Sequence, residues 1–187
     1  MKMRLENVRL SFPNLFEPYD GGKYGAKLIL PPDHPQVTAI KKAMVAVAKD
    51  AFGDKAPVVY KQLEATDKLA LHDGDTKAEY AGFEGNLFVS ANNKMRPTVI
   101  DGDKSPLTAA DGKPYSGCFV NAVVEFWAQN HAKHGKRINA SLLGVQFYKD
   151  GEPLGSGTVA SEDDFESLPG FDADTESGEM ADESLFD

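Results

Sequence analysis

Basic and acidic residues are divided unevenly along the chain, and this division limits which part of it can fold. Lys149 is the last basic residue of the 187. Residues 1–149 hold all 20 basic and 16 of the 29 acidic side chains, a formal net charge of +4. Residues 150–187 hold the other 13 acidic side chains. The formal charge of −9 for the whole chain therefore describes neither part.

The C-terminal segment is rich in Ser, Gly, Asp and Glu, and its apolar residues follow neither a helical nor a strand period. Such a segment buries too little apolar surface to offset the entropy that it would lose on ordering. We therefore predict a folded domain over residues 1–155 and a disordered acidic tail over residues 156–187. The tail ends in DESLFD, where carboxylates flank two apolar side chains.

The domain is predicted to be mainly β. RLENVRLSF alternates imperfectly before Pro13 and predicts a first strand, and a Gly-rich turn connects it to a second strand, YGAKLILP. NLFVSAN and MRPTVID predict two short strands, or one strand broken near Asn92 and Asn93. CFVNAVVEFWAQ and INASLLGVQFYK predict a long hairpin with the basic tip NHAKHGKR. One face of its first strand is apolar, with Val120, Ala122, Val124, Phe126 and Ala128.

One amphipathic helix is predicted after the first hairpin. Asp33 is expected to open it, with Gln36 completing a capping box, and Gly53 to end it. Its apolar positions recur at steps of three and four residues: Val37, Ile40, Met44, Val47 and Ala51. The stretch from about 54 to 84 gives no clear period, and residues 101–117 are predicted to be a loop insertion.

Composition excludes several classes of protein. Cys118 is the only cysteine, so neither an intramolecular disulfide nor a Cys-rich zinc site can form, which fits a reducing cytosol. The N-terminal residues lack the apolar run of a signal peptide. The longest apolar stretch is interrupted by Asn121 and Glu125, so no membrane span is predicted.

Two clusters suggest metal chemistry but fit it poorly. His131 and His134 stand beside Lys133, Lys136 and Arg137, and these cations disfavour a divalent ion, so a hairpin tip is the preferred interpretation.

The sequence LHDGDTKAE gathers three carboxylates, which suit Mg²⁺, and a histidine, although a solvated turn is the simpler interpretation. The residues concerned are His72, Asp73, Asp75 and Glu79. The chain contains no P-loop, G-x-S-x-G, H-E-x-x-H or paired-cysteine motif. We therefore predict neither an enzyme nor a cofactor.

Single-strand binding requires cationic and aromatic residues together, and both kinds occur on the predicted strands and in the segments that connect them. OB-type five-stranded Greek-key barrels bind single strands by combining a basic groove with exposed aromatic rings. The predicted DNA-binding residues are Tyr24, Lys27, Tyr80, Phe88, Lys94, Arg96, Trp127, Lys133, Lys136 and Arg137. Lys23, Tyr115 and Tyr148 are further candidates. For Phe88 and Trp127, a place in the core is the competing interpretation.

Four segments carry a resemblance to a known family: NVRLSFPNLFEP, MRPTVIDGD, KPYSGCFVNAVVEFWAQN and LLGVQFYKDGEPLG. Together with the acidic tail, they resemble the bacteriophage single-stranded DNA-binding proteins that have an OB fold. The resemblance covers about residues 3 to 155. It implies sequence-independent binding that protects and organises single-stranded DNA during phage DNA replication, recombination and repair, in the cytoplasm of the infected bacterium.

The tail is then expected to compete with DNA for the cations of the domain and to recruit replication or recombination proteins. The recruiting residues would be Asp182, Glu183, Leu185, Phe186 and Asp187. A tail that only improves solubility is the alternative. Two other functions remain open: an acidic DNA mimic, or a metal-dependent nuclease using Asp73, Asp75, Asp101 and Asp103. The sequence leaves a homo-oligomer open.

Overall fold

The computed structural model describes residues 1–155, 165–166 and 168. The described elements are β1 (Lys2–Tyr19), β2 (Lys23–Leu30), α1 (Val37–Phe52), α2 (Ala56–Ala65), β3 (Leu71–Asp73), β4 (Leu87–Asn93), β5 (Thr98–Ile100), β6 (Phe119–His131) and β7 (Gly135–Lys149). Short 3₁₀ helices cover Gly53–Lys55, Gly74–Lys77 and Ala109–Asp111. The segment predicted to be a disordered tail lies almost entirely outside the described residues.

Five of the strands close into a barrel. β4, β2, β1, β6 and β7 are hydrogen-bonded in that order, and a parallel pairing between β4 and β7 completes the circle. The other neighbours within the barrel are antiparallel. β3 extends the sheet beside β4, and β5 extends it beside β7. This five-stranded barrel is an OB fold, as predicted from the sequence.

The imperfect alternation of the first strand has a structural cause. The pairing of β1 with β6 shifts between Leu5, opposite Ala122, and Val8, opposite Val120. The extra residue forms a β-bulge, and Asn7 there has a positive φ of 52°. Because of this bulge, Leu5 and Val8 both point into the core although their spacing is odd.

Helix α1 confirms the predicted amphipathic helix, but the predicted start is wrong. The helix begins at Val37, and Gln36 makes no capping hydrogen bond with its side chain. The Gln36 amide instead accepts from the Glu6 backbone N–H at 2.7 Å and donates to the Arg4 carbonyl at 2.9 Å. Gln36 therefore satisfies backbone groups beside the β1 bulge rather than the end of the helix.

A continuous core fills the barrel and extends under the helices. Leu5, Leu28, Val89, Phe126 and Leu142 are among its fully buried members. α1 contributes Ile40 and Met44. α2, which lies in the stretch without a clear sequence period, contributes Val59 and Leu63. None of the described helices is long and apolar enough to cross a membrane.

A second, smaller cluster lies apart from this core and consists of Ile29, Phe83 and Phe88, with Leu154 packed against them. Ile29 on β2 pairs with Phe88 on β4, and both side chains alternate with residues that fill the barrel. The loop that follows β3 supplies Phe83 and covers this outer part of the sheet. As a result, the ring of Phe88 is buried although it points away from the barrel core.

Candidate nucleic-acid interface

A groove of about 570 Å³ crosses the place where β4 and β7 meet. Its side chains come from five parts of the fold: β2, the residues before and in β3, β4, β6 and β7. The lining residues are Lys23, Leu69, Ala70, His72, Ser90, Asn92, Asn93, Lys94, Trp127, Gln129, Arg137, Ile138, Asn139, Ala140 and Ser141. We call this surface the first groove. None of the described residues that line it is a carboxylate.

Trp127 supplies the aromatic surface of the first groove. It lies on the outer face of β6, opposite Asn139 of β7, and 42% of its surface is exposed. Its indole N–H donates to the Ser141 hydroxyl at 3.0 Å, which fixes the ring against β7. An exposed and oriented indole offers a π-face on which any base can stack.

Three cations line the groove: Lys23 at the start of β2, Lys94 directly after β4, and Arg137 near the start of β7. In the described part of the chain, none of the three lies within ion-pair distance of a carboxylate. Cations without an acidic partner are available to contact phosphates, and each such contact displaces a counterion from the nucleic acid.

Amides and hydroxyls occupy the floor between these groups, and several are already hydrogen-bonded. Asn139 donates to the side chain of Gln129 at 3.2 Å. Asn93 donates to the Leu142 carbonyl at 3.1 Å, joining β4 to β7. Tyr19 donates to the Asn92 side chain at 3.1 Å. The floor is therefore a preorganised polar surface.

Gly25 keeps this floor in place from the neighbouring strand. It pairs with Asn92, and a Cβ at residue 25 would lie 2.3 Å from Asn92 Oδ1 and 2.9 Å from the Ala91 carbonyl oxygen. Only glycine lets the backbone of β2 approach β4 this closely.

Lys27 lies at the edge of the first groove, between β1 and β4. Its ammonium donates to the Ser90 hydroxyl, and Ser90 lines the groove. Burial, together with the nearby ammonium of Lys77, lowers the pKa of Lys27 below its ordinary value. Keeping this ammonium charged in a partly buried position costs free energy, and an approaching phosphate would reduce that cost.

The structure brings some of the predicted DNA-binding residues together and separates others. Lys94, Trp127 and Arg137 line the first groove, as does the further candidate Lys23. Lys133 and Lys136 lie at the exposed hairpin tip, where the ammonium of Lys136 is 6.0 Å from the ring centroid of Phe52.

Three other predicted residues lie outside the lining. Tyr24 is half-buried and pairs with Asn93 through its backbone. The guanidinium of Arg96 lies 5.5 Å from the ring centroid of Phe16. Tyr80 is 43% exposed and belongs to a separate aromatic group.

Phe88 was predicted to bind DNA, but its ring does not offer a face on which a base could stack. Only 2% of its surface is exposed. The imidazole of His72 stacks on it at 5.0 Å, and Phe83 packs edge-on at 5.1 Å. Its ring supports His72, which itself lines the groove.

Of the two further aromatic candidates, Tyr115 has a structural role and Tyr148 lies far along β7. The Tyr115 hydroxyl donates to Asp150 at 2.7 Å and accepts from the Gly151 N–H at 3.2 Å. Tyr115 thereby holds the residues after β7 against the start of β6. Tyr148 is 54% exposed, nine residues beyond Asn139.

Sequence reasoning missed most of the polar floor. A usable signal was present in β7, where Arg137, Asn139 and Ser141 alternate with buried Ile138 and Ala140. The contributions of His72 and Ser90 carry no such signal, because they depend on which strands pair.

The clusters considered for metal binding have local structural roles. His131 Nδ1 accepts from the backbone N–H groups of Lys133 and His134, at 3.1 and 3.2 Å, and so closes the hairpin turn. This turn is shorter than the predicted basic loop, because β6 and β7 continue to His131 and Gly135.

Asp73 and Asp75 accept backbone hydrogen bonds from Asp75 and Gly85. A hydrogen bond from Lys113 lowers the pKa of Asp101, and hydrogen bonds from Ser105 lower that of Asp103. Within residues 1–155, 165–166 and 168, no group of three or more His, Cys, Asp or Glu side chains is placed to hold a metal ion.

Comparison with known proteins identifies relatives of this chain. A curated protein of Acyrthosiphon pisum secondary endosymbiont phage 1, described as putative protein p50, is 44% identical over 176 residues, which cover 90% of this chain and 94% of that protein.

Two solved structures from bacteriophage Enc34 also match. A C-terminal truncation of its single-stranded DNA-binding protein is 33% identical, with a TM-score of 0.66 over 82% of this chain and 88% of that one. The same protein in complex with ssDNA is 31% identical, with a TM-score of 0.59 over 82% and 89% of the two chains.

The family model described as Enterobacter phage Enc34, ssDNA-binding protein, matches residues 1–180. A match of this extent, on a chain whose barrel resembles the solved Enc34 structures, shows the family. The chain belongs to the bacteriophage single-stranded DNA-binding proteins of the Enc34 family.

Proposed function

We propose that this protein binds single-stranded DNA, independently of sequence, in the first groove. The observation that carries the proposal is the combination of oriented Trp127 with three cations that, among the described residues, have no carboxylate partner and line a groove without carboxylates. Bases stack on the indole while phosphates contact Lys23, Lys94 and Arg137. The Enc34 relative, solved with ssDNA, supports the same ligand.

The geometry favours a single strand over a duplex. Stacking on Trp127 requires bases that are free to leave their neighbours, whereas the bases of a duplex are stacked inward. The floor offers hydrogen-bonding amides and hydroxyls without an arrangement that selects one base. In the infected bacterium, such binding would protect and organise single strands in DNA replication, recombination and repair.

The acidic segment 156–187 is proposed to regulate this binding. Its charge is opposite to that of residues 1–149, so it competes with DNA for the same cations at a high effective concentration. When DNA displaces it, the terminal DESLFD becomes available to replication or recombination proteins. Leu185 and Phe186 would anchor that contact, and Asp182, Glu183 and Asp187 would surround it.

Fluorescence anisotropy of labelled oligo-dT tests both parts of the proposal. The full chain and a version ending at Ser156 are titrated across a salt series with EDTA present. We expect saturable binding that weakens with salt, and tighter binding with a steeper salt dependence after truncation. Equal affinity of the two forms would contradict the tail's role. Absence of binding by both would overturn the groove and favour a DNA mimic.

A further inference from the structure

A second group of exposed aromatic rings lies outside the first groove. Phe12 and Tyr80 are 47% and 43% exposed, and their rings meet edge to face with centroids 5.1 Å apart. Beneath them, Phe83 is fully buried, 6.0 Å from Phe12 and 6.3 Å from Tyr80. The two exposed rings are thus supported by a third and have fixed orientations. We call Phe12 and Tyr80 the outer pair.

The backbone at Phe12 is unusual for a bulky residue. Its φ is +47°, which lies in the left-handed region of backbone conformation. Residues other than Gly, Asn and Asp rarely adopt this region. Strand alternation from buried Leu10 would turn Phe12 inward, but the register of β1 and β2 shifts after Ser11. The irregularity directs the ring to the surface. Irregularities of this kind often re-aim a side chain at a functional site.

The outer pair lies at the end of a row that begins at Trp127. Trp127 on β6 pairs with Asn139 on β7. Ser90 on β4 pairs with Lys27 on β2, and Lys27 pairs with Ser11 on β1, the residue before Phe12. Ser90 and Asn139 directly precede Ala91 and Ala140, which join β4 to β7. The row therefore crosses five strands, or about 19 Å at the usual strand spacing.

Two cations lie along this path, Lys27 within the row and Lys77 beside Tyr80 of the outer pair. The ammonium of Lys77 is 5.7 Å from the ring centroid of Tyr80, and that of Lys27 is 6.0 Å from that of Phe88. The ammonium of Lys77 lies close enough to contribute to the lowered pKa of Lys27, after burial. Among the described residues, neither forms an ion pair with a carboxylate. Adjacent cations without an acidic partner attract a phosphate.

We propose that Phe12 and Tyr80 form a second base-stacking platform, on which single-stranded DNA leaving the first groove stacks. Lys27 and Lys77 contact the intervening phosphates. The proposal rests on the proposed function, because it extends the path of the same ligand. OB folds bind about 4 to 16 nucleotides, so a strand that uses both platforms is within the usual range.

Two variants of the outer pair test the platform, together with a matched control. Phe12→Asn removes the ring and keeps a residue that tolerates positive φ, and Tyr80→Leu removes the second ring while keeping an apolar side chain. Tyr148→Leu is the control, because Tyr148 is also exposed and also has an ammonium, that of Lys149, 5.7 Å from its ring. Circular dichroism establishes that each variant is folded.

Binding is measured by anisotropy with labelled dT4 and dT16 at low salt, and by quenching of Trp127, the only tryptophan. We expect each outer-pair variant to bind dT16 about 5- to 150-fold more weakly. Binding of dT4, and the quenching at saturation, should match the wild type, because the first groove is unchanged. Tyr148→Leu should bind both oligonucleotides as the wild type does.

Two results would overturn the platform. Wild-type affinity for dT16 in both outer-pair variants, with weakened binding in Trp127→Leu, would confine the DNA to the first groove. An equal loss on dT4 and dT16, with altered quenching, would mean that the substitutions had distorted the first groove. Failure of the wild type to bind either oligonucleotide would overturn the proposed function, and this inference with it.

Discussion

The barrel carries two grooves that are similar in charge and different in chemistry. The first, between β4 and β7, is lined by Lys23, Lys94 and Arg137. The second, of about 380 Å³, crosses β1, β6, β7 and β5, and its lining includes Lys2, Arg4 and Lys104. In the part of the chain that the structure describes, the lining of each groove therefore has three Lys or Arg side chains and no carboxylate.

The difference between them lies in the aromatic surface and in the pairing of the cations. The first groove contains the exposed indole of Trp127, whereas the second contains aliphatic Ile100, Val123 and Leu143 and no aromatic ring. Arg4 of the second groove forms an ion pair with Glu6. Positive charge alone attracts phosphate at either place, but only the first groove also offers a stacking surface for a base.

The strand β6 serves both grooves, and this makes the comparison testable. Val123 and Trp127 lie on the same outward face of β6, four residues apart, and each lines one groove. Two substitutions on a single strand can therefore separate a general effect on the barrel from a specific effect on DNA.

The largest effect is expected from Trp127→Leu, which keeps an apolar side chain and removes the stacking face. Affinity for oligo-dT should fall about 5- to 150-fold, because stacking contributes about 1–3 kcal/mol per base. Val123→Ala, the matched change in the second groove, should leave the affinity unchanged. Anisotropy titrations of both variants measure this, and equal losses would show that the second groove also binds DNA.

A smaller effect is expected from neutralising cations in pairs. Lys94→Gln with Arg137→Gln should reduce the slope of log K against log salt by about 1.4, since each phosphate contact contributes about 0.7 for a single strand. At about 0.1 M salt this corresponds to roughly 25-fold weaker binding.

The control for that experiment is Lys2→Gln with Lys104→Gln in the second groove, which removes the same net charge. If charge acts only through the overall field of the protein, the two double variants will lose affinity equally. A loss confined to the first pair would place the phosphates in the first groove.

The smallest effect concerns Lys27, at the edge of the first groove. Because burial lowers its pKa, the unfolded chain binds more protons than the folded protein between that lowered pKa and about 10.5. The free energy of unfolding of the wild type, relative to Lys27→Met, should therefore rise with pH through this window.

Urea denaturation at several pH values up to about 10 measures this difference. Lys104→Met, which removes an exposed lysine of the second groove, reports the effect of removing a lysine charge as such. If the free energies of unfolding of the wild type and of Lys27→Met change with pH in parallel, the lowered pKa of Lys27 does not contribute to stability.

Much of the fold could be predicted because its signals are local. The apolar face of β6, from Val120 to Phe126, and the 3.6-residue period of α1 are properties of short segments. The start of α1 was missed because the side chains of His34 and Gln36 form hydrogen bonds with the backbone of Glu6 beside the β1 bulge, about 30 residues earlier in the chain. Helix α2 was missed because Val59 and Leu63 alone give too weak a period.

The candidate site was predictable in composition but not in arrangement. Trp127, Lys94 and Arg137 stood out as residue types suited to single-stranded DNA. Phe88 did so as well, and nothing in its own strand shows that Phe83 and His72 cover it. The alternation of the first strand does not show that Phe12 points outward, because a strand pattern cannot foresee a residue with positive φ.

The sequence by itself determined the family, the mainly β barrel and the separation of a basic domain from an acidic segment, since these depend on local period, motif and charge order. Only the tertiary structure decided which cations and rings share a surface. Ser90 and Asn139 are 49 positions apart in the chain and become neighbours only when β4 and β7 close the barrel in parallel. Strand pairing over such separations is set by the packing of the whole core, so the groove is a property of the closed barrel.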